Sequence, residues 1–262
     1  MLDTLQVHFF GAPLAMARSA KLPACKDKLD FSRPLTTVDV VIFTVLHDSL
    51  QVLLVQRPNT AREPFPGLWA LSGGFVDIER DHDLEACARR KLREKTGIDT
   101  PYLEQLGSWG SATRDQRGWS ATHVYFALIP AEHIVLSKSA NAAEIAWYPV
   151  VVQGVNIKLA FDHSIILQAA LIRLRNKVEY TSLPAYLLPE EFTLTDLQHM
   201  YEIVMERSIE KSAFRTRVIS SGMVEPLKRK MREGPNRPAQ IYRLKEPGDL
   251  VFFPRTFNPR RD

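Results

Sequence analysis

The hydrophobic pattern of the chain changes once, near Val151, and that change restricts the folds open to it. Before it, short apolar runs recur at close spacing: Val38 to Leu46 (VDVVIFTVL), Gln51 to Gln56 (QVLLVQ), Trp69 to Val76 (WALSGGFV), Tyr102 to Trp109, Thr122 to Ile129 and Trp147 to Val151. Runs this short and this rich in β-branched residues predict strands. His47 to Leu50 reads as a hairpin loop and Pro64-Phe65-Pro66-Gly67 as a turn. Leu84 to Lys95 alone among them has helical spacing, and Gly97 follows it as a terminating glycine. Strands, one helix packed between, then more strands predict an α+β sandwich.

After Val151 helical spacing takes over. Asp162 predicts the N-cap of a helix to about Lys177, with Ile165, Ile166, Ala169, Leu171, Ile172 and Leu174 on its apolar face. Tyr180 to Glu191, with Pro184 and Pro189, reads as a connector. Thr195-Asp196-Leu197-Gln198 fits a capping box opening a helix to about Glu206. Ser208 to Lys211 reads as a short turn or helix, and Ser212 caps a further helix, Ala213 to Ser221, closed by Gly222. Leu227 to Met231 and Gln240 to Leu244 predict two strands joined by a loop from Glu233 to Pro238. Helix, short helix, helix and a hairpin with a basic tip is the order of a winged helix-turn-helix.

Charge separates the two halves as sharply as periodicity does. Residues 207–245 hold eleven Lys and Arg against three Glu, a local balance of +8. The whole chain carries +4, so the remainder sits at −4. A basic segment on an acidic body points to a polyanion, with nucleic acid the leading candidate. A solvated basic face would give the same count. Cys25 and Cys87 are the two cysteines, too few for a disulfide scaffold or a four-thiolate zinc site. No run approaches the roughly 20 apolar residues of a membrane helix. The start carries Asp3 and no basic stretch before its apolar residues, which predicts no secretory signal and a cytoplasmic protein.

Trp69 to Val76, with Leu84 to Ile98 (LEACARRKLREKTGI), resembles the signature of the Nudix hydrolases. In that family a loop-helix-loop folds over a pyrophosphate, and carboxylates on one helix face share divalent cations that activate water. The resemblance fails where the metal would bind. Aligned through Gly97, the Arg is Arg90 and the three acidic helix positions fall on Lys91, Glu94 and Lys95. The upstream Glu falls on His82, and Gly74 to Arg90 is two residues too long. An ammonium roughly 5 Å from a divalent cation repels it by about 7 kcal/mol at an effective dielectric near 20. The resemblance therefore implies a retained pocket with no metal, no cofactor and no catalytic residue. The residues leave other readings open: Lys91 and Lys95 replace the cation, or are surface lysines, or Glu79, Glu85 and Glu94 rebuild a metal site in a shifted register.

A second resemblance covers residues ~36–245. Phe161-Asp162-His163, Leu187-Leu188-Pro189, Phe192-Thr193-Leu194, Tyr201-Glu202, Phe214-Arg215 and Arg237-Pro238-Ala239 with Tyr242-Arg243 occur in the order of the Nudix-related transcriptional regulators, the NrtR family. It implies a Nudix-like α/β/α sandwich followed by a winged helix-turn-helix. The expected parts are an N-terminal tail (1–34), an effector domain (35–155), a linker helix and connector (156–190) and a DNA-binding domain (191–262). It also implies a repressor of NAD-metabolism genes that senses ADP-ribose or a related nucleotide and binds a palindromic double-stranded operator as a homodimer. An active magnesium-dependent ADP-ribose pyrophosphatase and a regulator of sugar metabolism are the alternatives.

Candidate residues follow from chemistry. Arginine forks suit phosphates and ribose hydroxyls, so Arg57, Arg114 and Arg117 join Gly73, Gly74, Lys91, Glu94 and Lys95 as expected effector contacts. Trp69 and Phe75, beside the glycines, are expected to line the same cleft. A structural Arg–Asp pair around Asp115 and an aromatic core are the plain alternatives. On the second half, Arg215, Thr216 and Arg217 lie on the expected recognition helix, with Lys211 and Ser212 at its start. Phe214 and Val218, spaced i and i+4, are expected to be core. Arg237 is the expected wing contact. Alternation on a strand assigns Lys228 and Lys230, or Arg229 alone, to DNA.

Overall fold

The computed structural model describes residues 33–97, 99–100, 102–133, 143–231, 238–246 and 248–253. The N-terminal tail and the wing loop containing Arg237 thus lie outside the described residues, apart from the end of each.

Residues from Leu35 to Pro149 form one seven-stranded sheet: β1 (Leu35–Leu46), β2 (Ser49–Gln56), β3 (Trp69–Ala70), β4 (Ser72–Phe75), β5 (Tyr102–Ser111), β6 (Ser120–Leu128) and β7 (Glu144–Pro149). The main path runs β3-β2-β1-β6-β5, with β4 added to β1 and β7 to β2. β1 is central and parallel to β6; its other pairings are antiparallel. The predicted strand Trp69 to Val76 is two strands. Trp69–Ala70 pairs with β2 and Ser72–Phe75 crosses to β1, so the chain changes partner at Leu71.

Alternation along β1 sorts its side chains between two layers. Val38, Val40 and Ile42 pack with Cys87, Ala88 and Leu92 of α1 (Leu84–Thr96). Val41 and Phe43 pack on the other side, with Ile166, Leu167, Ala170, Leu171 and Leu174 of α2 (His163–Val178). One helix on each face makes the expected α/β/α sandwich. α1 is bounded as its sequence predicts: Gly97 ends it in the left-handed region, and Asp83 caps its start by accepting from the Ala86 N–H at 2.7 Å.

Beyond α2, a 3-10 turn (Leu183–Leu187) leads to β8 (Phe192–Thr193), α3 (Leu194–Met205), α4 (Lys211–Ser220), β9 (Val224–Met231) and β10 (Ala239–Leu244). The small sheet has the order β8-β10-β9, the arrangement of a winged helix. Three local expectations are corrected. The capping box of α3 is Thr193 with Asp196, two residues before the predicted Thr195, because both reciprocal bonds form there. Ser208 to Glu210 is irregular, neither turn nor helix, and is held by Glu202, which accepts from the Ile209 N–H at 2.8 Å. α4 begins at Lys211 and is capped by Glu210, not Ser212; Glu210 accepts from the N–H groups of Ser212 and Ala213.

The predicted linker helix is no free tether. Its buried face lies in the same apolar cluster as the sheet on one side and Leu194, Leu197, Tyr201, Phe214 and Val218 of α3 and α4 on the other. Tyr201 and Phe214 meet edge to face at 5.2 Å and join the two helices of the winged part.

Candidate functional site

A cleft of about 750 Å³ opens between α1, β4, the loop after β5 and the start of α2. Nine of the ten residues expected to face an effector line it: Arg57, Gly73, Gly74, Phe75, Lys91, Glu94, Lys95, Arg114 and Arg117. Trp69 does not. Its ring meets Tyr148 at 4.9 Å on the sheet, so it belongs to the packing behind the wall.

The two glycines permit close approach. A Cβ on Gly73 would lie 1.9 Å from Oδ1 of Asp39 and 2.7 Å from the Val38 carbonyl. Gly74 has φ +150°, and a Cβ there would lie 2.9 Å from Nζ of Lys91. The turn therefore rests directly on a buried carboxylate below and on a helix lysine beside it.

Every arginine of the cleft is engaged. Arg57 donates to Glu63 at 2.5 Å and to the Pro64 carbonyl at 2.6 Å, and its guanidinium lies 5.0 Å from the Phe161 ring centre. Arg90 forks onto both oxygens of Asp81 at 2.6 Å and reaches Glu94 at 3.0 Å. The Arg90 guanidinium holds the Asp81 carboxyl well below the usual carboxylate range. Arg117 forks onto Asp115 and stacks 5.1 Å from the Phe75 ring centre. Burial alone would raise Asp115; hydrogen bonds from Arg117 lower it instead. Arg114 lines the cleft but is the most firmly committed of the four. Its side chain is only 5% exposed and forks onto Asp162 at 3.0 and 2.8 Å, with Asp39 at 3.9 Å. It is a brace beneath the cleft rather than an open fork. That also explains why Asp162, although at the N-cap position of α2, makes no capping bond.

The lysines differ. Lys91 has Glu94 at 4.0 Å, beyond a direct hydrogen bond. Burial pulls Lys95 below the usual lysine range, with Lys91 pressing the same way and Glu94 opposing. A divalent cation does not fit this set, because two of the three side chains are ammonium groups and Glu94 already accepts from Arg90. Among the described residues, no three His, Cys, Asp or Glu side chains converge in metal-binding geometry.

The sequence reading missed the cleft floor. Asp39 accepts from Thr122 at 2.7 Å and faces Nε2 of His163 at 3.6 Å. Burial would raise the Asp39 carboxyl, yet His163, Thr122 and Arg114 together hold it below its ordinary value. Nδ1 of His163 accepts from the Leu71 N–H at 2.9 Å. Phe161, at φ +54°, contacts Phe65 at 4.7 Å and His163 at 5.1 Å. A lone Asp inside VDVVIF was a usable signal, since an acid in a buried strand needs partners.

The far end of α2 meets the expected DNA-binding surface. Phe214 and Val218 are buried as predicted, while Lys211, Ser212, Arg215 and Thr216 of α4 are exposed. Arg217 is exposed too, but it is engaged: it donates to the Glu179 carbonyl at 2.7 Å and lies 4.6 Å from the Phe253 ring centre. It ties α4 to the end of α2, which the other exposed side chains of α4 do not. On β9, Lys228, Arg229 and Lys230 are all exposed, and Arg229 pairs with Glu191.

Fold and cleft together define a Nudix domain joined to a winged-helix domain. Residues 35–166 match the NUDIX domain, and residues 184–244 match the NrtR DNA-binding winged helix domain. The chain belongs to the NrtR family. It is 48% identical over 228 residues to the ADPR responsive transcriptional repressor NtrR of Acinetobacter baylyi, covering 87% of this chain and 89% of that protein. The fold is similar to Shewanella oneidensis NrtR in complex with a 27mer DNA, with a TM-score of 0.75 and 39% identity over 83% of this chain and 97% of that one. It is also similar to the NUDIX domain of Shewanella oneidensis NrtR in complex with ADP ribose, with a TM-score of 0.51 and 43% identity over 58% of this chain and 95% of that one. Among the described residues, no helix is long and apolar enough to cross a membrane.

Proposed function

We propose that the chain is a transcriptional repressor of NAD-metabolism genes that senses ADP-ribose, or a close relative, without hydrolysing it. One observation carries the reading: a cleft with two ammonium groups where a metal would need carboxylates shares helix α2 with a winged helix. A cleft unfit for metal chemistry but lined by cations suits the recognition of a pyrophosphate. The Acinetobacter relative is an ADPR-responsive repressor, and the Shewanella NUDIX domain binds ADP ribose, which supports this ligand.

In this reading Lys91 and Lys95 meet the pyrophosphate beside Gly73 and Gly74, with Glu94 orienting them. Phe75 with Arg117, and Arg57, meet base or ribose. Arg114 acts from below as a positioning residue. Lys211, Ser212, Arg215, Thr216, Lys228 and Lys230 face DNA, together with Arg237 of the wing. A two-fold dimer on a palindrome supplies the affinity that one winged helix lacks. A ligand that prefers one arrangement of Phe161-Asp162-His163 moves α2, and with it α4 through Arg217.

A gel shift tests this on a duplex from the chain's own upstream region, in EDTA. The expected result is a retarded band that ADP-ribose abolishes. A band indifferent to ADP-ribose overturns the sensor. Magnesium-dependent hydrolysis of ADP-ribose in the ordinary range of roughly 1–1000 per second would restore the pyrophosphatase reading. Calorimetry in EDTA should show ADP-ribose binding that Lys91→Ala weakens.

A further inference from the structure

Ile219 is the one large apolar side chain facing outward on the helix read as the DNA-recognition element, Lys211–Ser220. It is 54% exposed, and it stands outside both apolar clusters of the described residues. Its neighbours on the helix surface are Ser212, Thr216 and Arg215, seven, three and four residues before it. Ser212, Thr216 and Ile219 thus form one stripe at helical spacing, opposite the buried pair Phe214 and Val218. Short hydroxyl side chains and a branched apolar one fill the middle of this face; Lys211 and Arg215 stand at its edge, exposed and without an ion pair among the described residues.

A cationic rim along one edge of a shallow apolar centre matches one feature of duplex DNA. The rim meets phosphates, and the centre meets the floor of the major groove, where the C5-methyl of thymine is the apolar group on offer. A second copy of the chain would not complement this face, since it would set Lys211 and Arg215 against their own kind. We infer that Ile219 is a specificity-determining residue that reads a thymine methyl in each half-site. The inference rests on the proposed DNA-binding reading and deepens it: Arg215 at the edge reaches guanine or phosphate, and Ile219 selects an A·T pair beside it.

The test uses the full chain and an operator selected by it from a randomised duplex pool. Each thymine of that operator is replaced in turn by deoxyuridine, which removes only the methyl group. At one position per half-site the wild-type chain should lose about fourfold in affinity, corresponding to the ~0.8 kcal/mol of one buried methyl group. Ile219→Ala should bind the thymine operator several-fold more weakly and be indifferent to deoxyuridine at that position. Ile219→Val, which keeps a branched apolar group, should retain part of the sensitivity. Thermal unfolding of both variants should match wild type, because the side chain lies outside the core. Equal methyl sensitivity in wild type and Ile219→Ala at every thymine overturns the inference and leaves the DNA-binding reading standing. So does a dimer that Ile219→Ala dissociates in sedimentation, which would give the side chain to a second copy. If the wild-type chain enriches no sequence at all, the DNA-binding reading itself falls, and this inference with it.

Discussion

The effector cleft and the winged helix are both crowded with cations, and both commit most of their arginines to partners within the chain. In the cleft Arg57, Arg90, Arg114 and Arg117 are paired. In the winged part Arg207, Arg217, Arg229 and Arg243 are held by Glu179, the Glu179 carbonyl, Glu191 and Glu225. The bonds are alike, but the surroundings are not. Arg114 and Asp162 are 5% and 17% exposed, whereas Arg229 and Glu191 are 65% and 36% exposed. A buried pair is expensive to break because it strands a charge away from water. An exposed pair is screened and contributes about 0–1 kcal/mol. The same residue type is thus a structural fixture in one region and a loosely held surface charge in the other.

Arg114→Ala breaks the comparison hardest. It leaves Asp162 and Asp39 without their guanidinium, and the expected loss is about 3–5 kcal/mol of folding stability, read by chemical denaturation. A loss below about 1 kcal/mol would mean that water already reaches this pair. Next come two arginines two residues apart on α4. Arg215→Ala should cost about 1–3 kcal/mol of affinity for the specific site with an unchanged melting temperature. Arg217→Ala should instead lower the melting temperature, since it gives up the Glu179 carbonyl and the Phe253 ring. If Arg217→Ala matches Arg215→Ala in both measurements, the tie to α2 is refuted.

Acid sharpens the contrast further. Asp39, Asp81 and Asp115 have folded-state values below their ordinary ones. Each therefore adds stability that is fully present above about pH 4, the unfolded carboxylate range, and is lost as pH falls through the lower folded values. Denaturation midpoints should hold from pH 7 to about pH 5 and then fall steeply. Arg90→Ala should flatten that fall, because Asp81 owes its shift first to Arg90. The smallest effect belongs to Arg229→Ala, whose denaturation midpoint should stay at the wild-type value because the pair is exposed and screened. A lowered midpoint would show that the Glu191 pair anchors the wing.

Local pattern made much of this legible in advance. Alternation in VDVVIFTVL marks a strand with two apolar faces, and Gly97 marks the end of α1 whatever lies around it. Local chemistry also places the cleft, since Gly73, Gly74, Lys91 and Lys95 lie on one short strand and the helix that follows it. The reading failed where a partner is remote in sequence. Arg114 finds Asp162 48 residues away, and Arg217 finds Glu179 38 residues away. Nothing in either neighbourhood distinguishes an arginine that will meet an acid across the fold from one that will meet a ligand or a phosphate. The misplaced capping box has another cause: Thr193 and Thr195 both offer a hydroxyl before a helix, and the pairing of Phe192–Thr193 with β10 selects the first.

The internal pairing of the basic segment's arginines also bears on how binding responds to salt. A protein on duplex DNA releases about 0.9 counterions for each phosphate it neutralises, and the logarithm of affinity falls with the logarithm of salt in that proportion. Counting every Lys and Arg between 207 and 245 would give a slope near −10 per protomer, about −0.9 for each of eleven charges. Four of those charges already have partners within the chain. If those pairs persist on DNA, the remainder sets a slope of about −6. The operator complex should therefore tolerate salt better than the basic composition of the segment implies, with recognition resting more on base contacts than on counterion release.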